Sequence, residues 1–266
     1  KRPVDVAKWS EREGHIEPRI CHITVQTNKG NKVGTGFLVA RDIVMTNYHV
    51  VEPQIAAREG KTTAQGLTGS PEGVLLRFDY KKSADGTVTN PGREVRLNSK
   101  GDWLLDYSPY SPLDEQPQHR HAARGSDELD FALLRLDGAV GEDSLGAGAM
   151  SYQRGWLTPT DSYDLQQGEP LIIMQHPRGR PLEIAGDSLF EMNEGRTRIT
   201  YRTNTEPGSS GSPCFTFNWD LVALHHFGDK ETPFHSPEYN QGIPFDAILK
   251  RMESKGSRQY LGKKFD

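Results

Sequence analysis

The sequence predicts an all-β fold, either a sandwich or a barrel. Three observations carry that prediction. Between residues 19 and 228 the chain breaks into short runs rich in Val, Ile, Thr, Tyr and Phe, the residues that suit a pleated, half-buried surface. Gly, Pro, Asn and Asp bound those runs, each able to make a turn. Helical periodicity is thin and confined to the two ends.

In chain order, residues 1–18 predict one short amphipathic helix. Strands are expected in RICHITVQT (19–27), GTGFLVA (34–40), DIVMTNYHVV (42–51), GVLLRFDY (73–80) and REVRLN (93–98). Further strands are expected in DFALLRL (130–136), PLIIMQH (170–176), RTRITYRTN (196–204) and DLVALHHF (220–227). A second helix is expected over 243–256, where Ile243, Phe245, Ile248, Leu249 and Met252 fall near helical spacing and Gly256 stops it. Two stretches read as loops. Residues 106–129 are rich in Pro, Ser and charge; residues 138–168 are rich in Gly, Asp and Ser and form the best candidate linker between two strand-rich halves. No internal repeat stands out.

A chain of 266 residues suits one large two-lobed domain or two small ones. Net charge is −4, which gives no bulk attraction for nucleic acid or a membrane surface. No run of about 18 apolar residues occurs, and the charged start lacks the apolar core of a signal peptide. The chain also lacks an initiator Met, so the expectation is a piece of a longer protein or a processed product. Two cysteines, Cys21 and Cys214, are too few for a disulfide scaffold. They read as buried thiols, which suits a cytoplasmic setting, with secretion as the alternative.

Three motifs carry chemistry. Gly208-Ser209-Ser210-Gly211-Ser212-Pro213 offers a serine between glycines. A serine hydroxyl needs a base to take its proton and backbone N–H groups aimed at the oxyanion that forms. A glycine two residues earlier lets two N–H groups converge. Position 212 is Ser, so the G-x-S-x-G elbow of another hydrolase class is excluded. Thr46-Asn47-Tyr48-His49-Val50-Val51 puts a histidine at the end of an apolar strand. Leu129-Asp130-Phe131-Ala132-Leu133 puts an acid at the mouth of another, where burial demands a partner; a histidine N–H is one that suits it. Taken singly, each has an ordinary structural reading. Together they run His, Asp, Ser at separations of 81 and 80 residues, an order that subtilisin-type and α/β-hydrolase enzymes do not use.

GTGFLVA, TNYHVV, LDFALLRL and GSSGSPCF together resemble the trypsin-like peptidases of the chymotrypsin clan, over roughly residues 20–250. The tail DLVALHHFG looks most like the bacterial glutamyl endopeptidase branch, and RGWL, NTEPGSSGSP and VALHH look like trypsin-like domains fused to regulatory modules in bacteria. The resemblance implies two antiparallel six-stranded β-barrels with a C-terminal helix and the site between them. Residues 1–19 would be an N-terminal extension, 20–150 the first lobe with a long insert at 52–129, and 151–266 the second lobe. It implies His49, Asp130 and Ser210 as the triad of a serine endopeptidase, the N–H groups of Gly208 and Ser210 as oxyanion hole, no cofactor and no metal, and polypeptide substrates. A regulatory domain or partner protein is a further expectation, with no role for nucleic acid or membrane.

Departures from the pattern are informative. Ser209 stands where digestive members carry an Asp that pairs with a newly cut N-terminus, so that mode of activation is not expected. Asn204-Thr205-Glu206-Pro207 should help form the specificity pocket, and no Asp lies six residues before Ser210, so a strict Arg/Lys preference is not expected. Thr205 and His225 match the positions at which glutamyl endopeptidases bind a substrate carboxylate. An acidic residue before the cut is therefore expected; the plainer alternative is that His225 and His226 only line the pocket wall. Trp103, Tyr107 and Tyr110 look exposed, to dock a partner or cover the cleft, or else pack on the first barrel. The trio Asp114, His119 and His121 has loop position and irregular spacing that argue against metal. Two other readings compete: a binding or scaffold module with negligible turnover, and a chaperone-like protease of the HtrA type, which the SGSP ending fits less well.

Overall fold

The computed structural model describes residues 4–114, 116, 119, 121–228 and 238–265. Asp5 opens the chain's first helix, α1 (Val6–Ile16), by accepting the backbone N–H of Lys8 at 3.1 Å, so one donor of the helix start is satisfied. A seven-stranded antiparallel sheet follows, in the order β5-β4-β1-β2-β3-β7-β6. Its strands are β1 (Ile20–Thr27), β2 (Gly30–Ala40), β3 (Ile43–Thr46), β4 (Val74–Lys82), β5 (Val88–Arg96), β6 (Leu104–Ser108) and β7 (Phe131–Arg135). The sheet curls until its margins meet. Leu97 bridges Leu136, the Asn98 N–H donates to Arg135 O at 3.0 Å, and the Asp137 N–H donates to Arg96 O at 2.9 Å.

The second lobe is a closed six-stranded barrel, β10-β11-β12-β15-β14-β13. Its strands are β10 (Pro170–Gln175), β11 (Glu183–Met192), β12 (Ile199–Tyr201), β13 (Pro213–Thr216), β14 (Leu221–Gly228) and β15 (Asn240–Pro244). A two-stranded ribbon, β8 (Ser144–Leu145) with β9 (Tyr152–Gln153), lies between the lobes in sequence. Helix α3 (Phe245–Lys255) ends at Gly256, whose φ of +71° is the left-handed cap expected of glycine.

Alternation along the strands divides the core. On β2, Leu38 points into the first lobe while Phe37 and Val39 face the second, as a period of two requires. Met45, Phe131, Ile172, Phe215 and Phe245 join them in one apolar layer between the lobes. Cys21 lies in the first lobe's core and Cys214 in the second's, both as free thiols. The ends of the chain cross over. Trp9 of α1 packs on Trp219 of the second lobe, ring centroids 4.7 Å apart, while the Gly262 N–H donates to Val39 O of the first at 2.8 Å. In between, Leu157 N–H bonds to Leu38 O and Thr160 N–H to Leu221 O, so the backbone changes lobes within the stretch expected to be a linker.

The structure corrects the sequence reading in four places. The first lobe has seven strands rather than six, because LLDYS, at the edge of the stretch read as a loop, forms β6. The strand expected over 42–51 ends at Thr46, and Tyr48–Arg58 is helix α2; Val50, Val51 and Ile55 are buried there, and core packing overrides the β preference of two valines. Strands β11, β13 and β15 were not anticipated. Trp103 is buried, 7% exposed, and Tyr107 stacks on Tyr48 at 5.5 Å and donates its hydroxyl to Glu59 at 2.6 Å. Those two aromatics pack on their own lobe.

Candidate active site

Helix α2 delivers His49 one turn after β3 ends. Pro53 sits inside that helix and has no N–H to give the carbonyl four residues back. That carbonyl belongs to His49, and Lys32 Nζ takes it at 2.9 Å. Burial lowers the Lys32 pKa, with Glu52 and Asp130 opposing the fall. Asp130 precedes β7 at a φ of +44°, a conformation uncommon outside glycine. Its N–H donates to Pro109 O at 3.0 Å and its carbonyl accepts Asn47 Nδ2 at 2.8 Å. The carboxylate then receives His49 twice: the backbone N–H on Oδ1 at 3.0 Å and ring Nδ1 on Oδ2 at 2.7 Å. Burial pushes the Asp130 carboxyl up, but the charge of His49 and the hydrogen bonds from His226 and His49 outweigh it and hold it well below the usual range.

Ser210 lies on the loop between β12 and β13, and it lines the same cleft as His49 and Asp130, a space of about 1420 Å³. Among the described residues no hydrogen bond joins Ser210 to His49; unliganded sites commonly leave this contact loose. The loop is built on two glycines at positive φ, Gly208 (+101°) and Gly211 (+87°). A Cβ at Gly211 would stand 2.1 Å from Thr35 O. The Ser209 N–H donates to Glu206 O at 3.0 Å and the Gly211 N–H to His225 O at 2.9 Å. The N–H groups of Gly208 and Ser210 have no acceptor among the described residues, so two free donors flank the serine. Ser209 is fully buried, and its Oγ accepts the Glu206 N–H at 3.2 Å.

Thr205 donates its hydroxyl to Asn240 Oδ1 at 2.7 Å, and Asn240 Nδ2 donates to Thr203 O. Asn204 and Thr205 line the cleft beside His225, and the Asn204 carbonyl accepts Gln175 Nε2 at 3.1 Å. His225 Nδ1 is 2.7 Å from the Tyr201 hydroxyl, which donates to Gln241 O at 3.1 Å. His225 is therefore the donor to Tyr201, and its Nε2 is an acceptor without a partner among the described residues. Burial, with His226 and His49 nearby, lowers its pKa to about 3, so it is neutral.

His226 lines the cleft beside His225, but both nitrogens of its ring face neighbouring groups. It is 3% exposed; Nδ1 lies 3.1 Å from Asp130 Oδ2 and Nε2 lies 3.1 Å from Gln241 Oε1. Asp114 of the trio weighed for metal is spent on Arg124 and Arg198, at 3.0 and 2.8 Å, and His121 Nδ1 lies 3.3 Å from Glu191. Thr35, Asn47, Lys32 and Gln241 were missed as site residues. Only Pro53 signalled one of them, by freeing the carbonyl that Lys32 takes.

The chain has recognisable relatives among known proteins. The trypsin-like peptidase domain matches residues 34–224, well over half of the chain. A "Probable serine protease" of Lysobacter enzymogenes is 26% identical over 230 residues, 86% of this chain and 33% of that protein. Exfoliative toxin A of Staphylococcus aureus is 24% identical over 197 residues, 74% of this chain and 57% of that one. The chain spans between 27% and 57% of the length of the curated relatives it matches. Among solved structures, the serine endoprotease from Yersinia pestis superposes with a TM-score of 0.58 at 12% identity, over 98% of this chain and 70% of that one, a likeness of fold.

Proposed function

The chain belongs to the trypsin-like peptidases, and from that premise we propose that it is a serine endopeptidase with His49, Asp130 and Ser210 as its triad. The observation that carries the reading is the His49–Asp130 pair at 2.7 Å in one cleft with Ser210. In the proposed reaction Ser210 Oγ attacks the scissile carbonyl as His49 Nε2 takes its proton. The oxyanion settles on the free N–H groups of Gly208 and Ser210. Imidazolium then gives the proton to the leaving amine, and Asp130 stabilises it without taking a proton itself. Water, activated by His49 in turn, releases the acid product and restores Ser210.

We also propose a preference for an acidic residue before the cut, with Thr205 and His225 receiving it and Asn204 on the wall. Arg202 lines the cleft as well, whereas Arg178 there is paired with Glu206; Arg202 supports an anionic guest. A neutral His225 whose Nε2 is an acceptor repels a carboxylate, so binding would draw a proton onto that nitrogen. The acidic preference then grows as pH falls. A role as the protease module of a larger regulated protein is part of this proposal, and the long relatives support it.

One experiment tests the whole reading: peptide-library cleavage by the protein and by Ser210→Ala at two pH values. Cleavage lost in Ser210→Ala and stronger after Glu at pH 6 than at pH 8 is expected. Equal cleavage after Glu and Ala removes the specificity, and equal turnover in the variant removes the nucleophile.

A further inference from the structure

Asp130 Oδ2 is shared by two histidines. His49 Nδ1 approaches it at 2.7 Å and His226 Nδ1 at 3.1 Å, while Oδ1 receives the His49 backbone N–H at 3.0 Å. The two imidazoles come from different lobes, His49 from α2 and His226 from β14. We propose that His226 is a positioning residue for the Asp130–His49 pair, holding the carboxylate in the orientation that His49 needs, with Gln241 fixing its tautomer.

The tautomer follows from counting donors. A carboxylate only accepts, so His226 Nδ1 carries a proton. Its Nε2 faces the Gln241 side-chain amide, whose Oε1 is 3.1 Å away while the buried Nε2 of Gln241 has no partner among the described residues. Turning that amide by half a turn sets Gln241 Nε2–H against His226 Nε2 and removes the orphaned donor, since the two ends of an amide are alike in shape. In that arrangement His226 donates to Asp130 and accepts from Gln241. The charged and titratable groups around Asp130 and the two histidines are Lys32 of β2, Glu52 of α2, Asp114 with its partners Arg124 and Arg198, and His225.

The inference rests on the serine-endopeptidase reading for its kinetic part alone, and a resonance measurement tests the shared carboxylate without it. Two far-downfield imidazole N–H resonances are expected in the wild-type protein, both displaced in Asp130→Asn and one lost in His226→Leu. For turnover, His226→Leu should lower kcat/KM by about ten- to a hundredfold, chiefly in kcat, the equivalent of one hydrogen bond to a charged group. The acid limb of its pH profile should move up, because a carboxylate with one donor fewer binds the His49 proton more tightly. His226→Asn keeps an N–H donor the same number of bonds from the backbone and should restore both rate and limb. A purely structural loss would lower the rate alike at every pH. The proposal is overturned if a single such resonance appears and ignores position 226, or if the Leu and Asn variants share one rate and one acid limb. Absent turnover in the wild type would refute the enzyme reading, while the resonances still decide the shared carboxylate.

Discussion

Thr35 of the first lobe donates its hydroxyl to the carbonyl oxygen of Gly208 in the second, at 2.9 Å. The same Oγ1 accepts the His176 N–H at 3.0 Å, and the Thr35 backbone N–H donates to Ser210 O at 2.8 Å. One buried residue thus fixes the 208–209 and 210–211 peptides, on either side of the Ser209–Ser210 peptide. Thr35→Val keeps the shape and strands two buried groups, Gly208 O and the His176 N–H. The cost is about 2–6 kcal/mol at 1–3 kcal/mol per unsatisfied group. Urea unfolding should show that loss, and kcat should fall more than about tenfold with KM little changed, since the Gly208 peptide is no longer locked. A variant with wild-type kcat would show that the loop holds itself.

Gly211 offers a harder test of the same loop. Its φ is +87°, and a Cβ there would meet Thr35 O at 2.1 Å and Thr46 Oγ1 at 2.4 Å. Thr46 already donates to Thr35 O at 2.7 Å, so neither neighbour can retreat without breaking a buried bond. Gly211→Ala should cost about 3 kcal/mol or more, from overpacking and backbone strain together. Activity should be lost even in the fraction that folds. Thermal melts and titration of Ser210 with a fluorophosphonate check both; full labelling at the wild-type rate would contradict the clash.

Residues whose chemistry is local were legible in the sequence. Gly208, Ser210 and Gly211 were legible because a strained loop needs glycine, and Asp130 because an acid beside FALLRL must find a partner. Helix α3 was legible from its spacing and Gly256. Context set by the other lobe was not legible. His49 sits on a helix because Val50 and Val51 find a core there, which a run of β-branched residues does not announce. His226 lines the cleft beside His225; that its ring also reaches Asp130, 96 residues away in sequence, depends on the other lobe. Strand β11 reads EIAGDSLFEM and is largely half-exposed or exposed, so it lacks the apolar run that marks a buried strand.

Asp114 lies between two guanidinium groups that solvent does not reach. Arg124 Nε bonds to Oδ1 at 3.0 Å; Arg198 Nε and Nη2 bond to Oδ1 and Oδ2 at 2.9 and 2.8 Å. Burial pushes the Asp114 carboxyl up, but His226, Arg198 and Arg124 outweigh it and hold it below the usual range. Asp114→Ala leaves two buried cations uncompensated, a cost of about 3–5 kcal/mol. The cluster also ties the segment before Asp130 to the second lobe, so the variant should be cut by added protease within 109–129 before the lobes unfold. Cleavage first elsewhere would place the weak point away from this cluster.

Three buried histidines set how the fold answers to acid. Burial lowers His22 to about 4, with Arg77 adding to it. Burial lowers His176 to about 3, opposed by its hydrogen bond to Arg180 O, and burial lowers His225 to about 3. In the unfolded chain each returns to an ordinary value near 6.5. Folded-state values lie below unfolded ones, so between pH 6.5 and about 4 the unfolded chain binds more protons. Stability therefore rises with pH across that window and is lost as pH falls through it. The depressed carboxylates Asp114 and Asp130 act lower, near and below their ordinary value of 3.8, so the histidines govern this range. Each group contributes a slope of up to about 1.4 kcal/mol per pH unit. His176→Asn keeps a donor for Arg180 O and removes one titrating group, so the loss of stability from pH 6.5 to 4.5 should shrink by about a third of the summed slope. Denaturant unfolding at a series of pH values measures it. An unchanged slope in that variant would mean that His176 takes up its proton in the folded state without cost, and that its burial is not what opposes the charge.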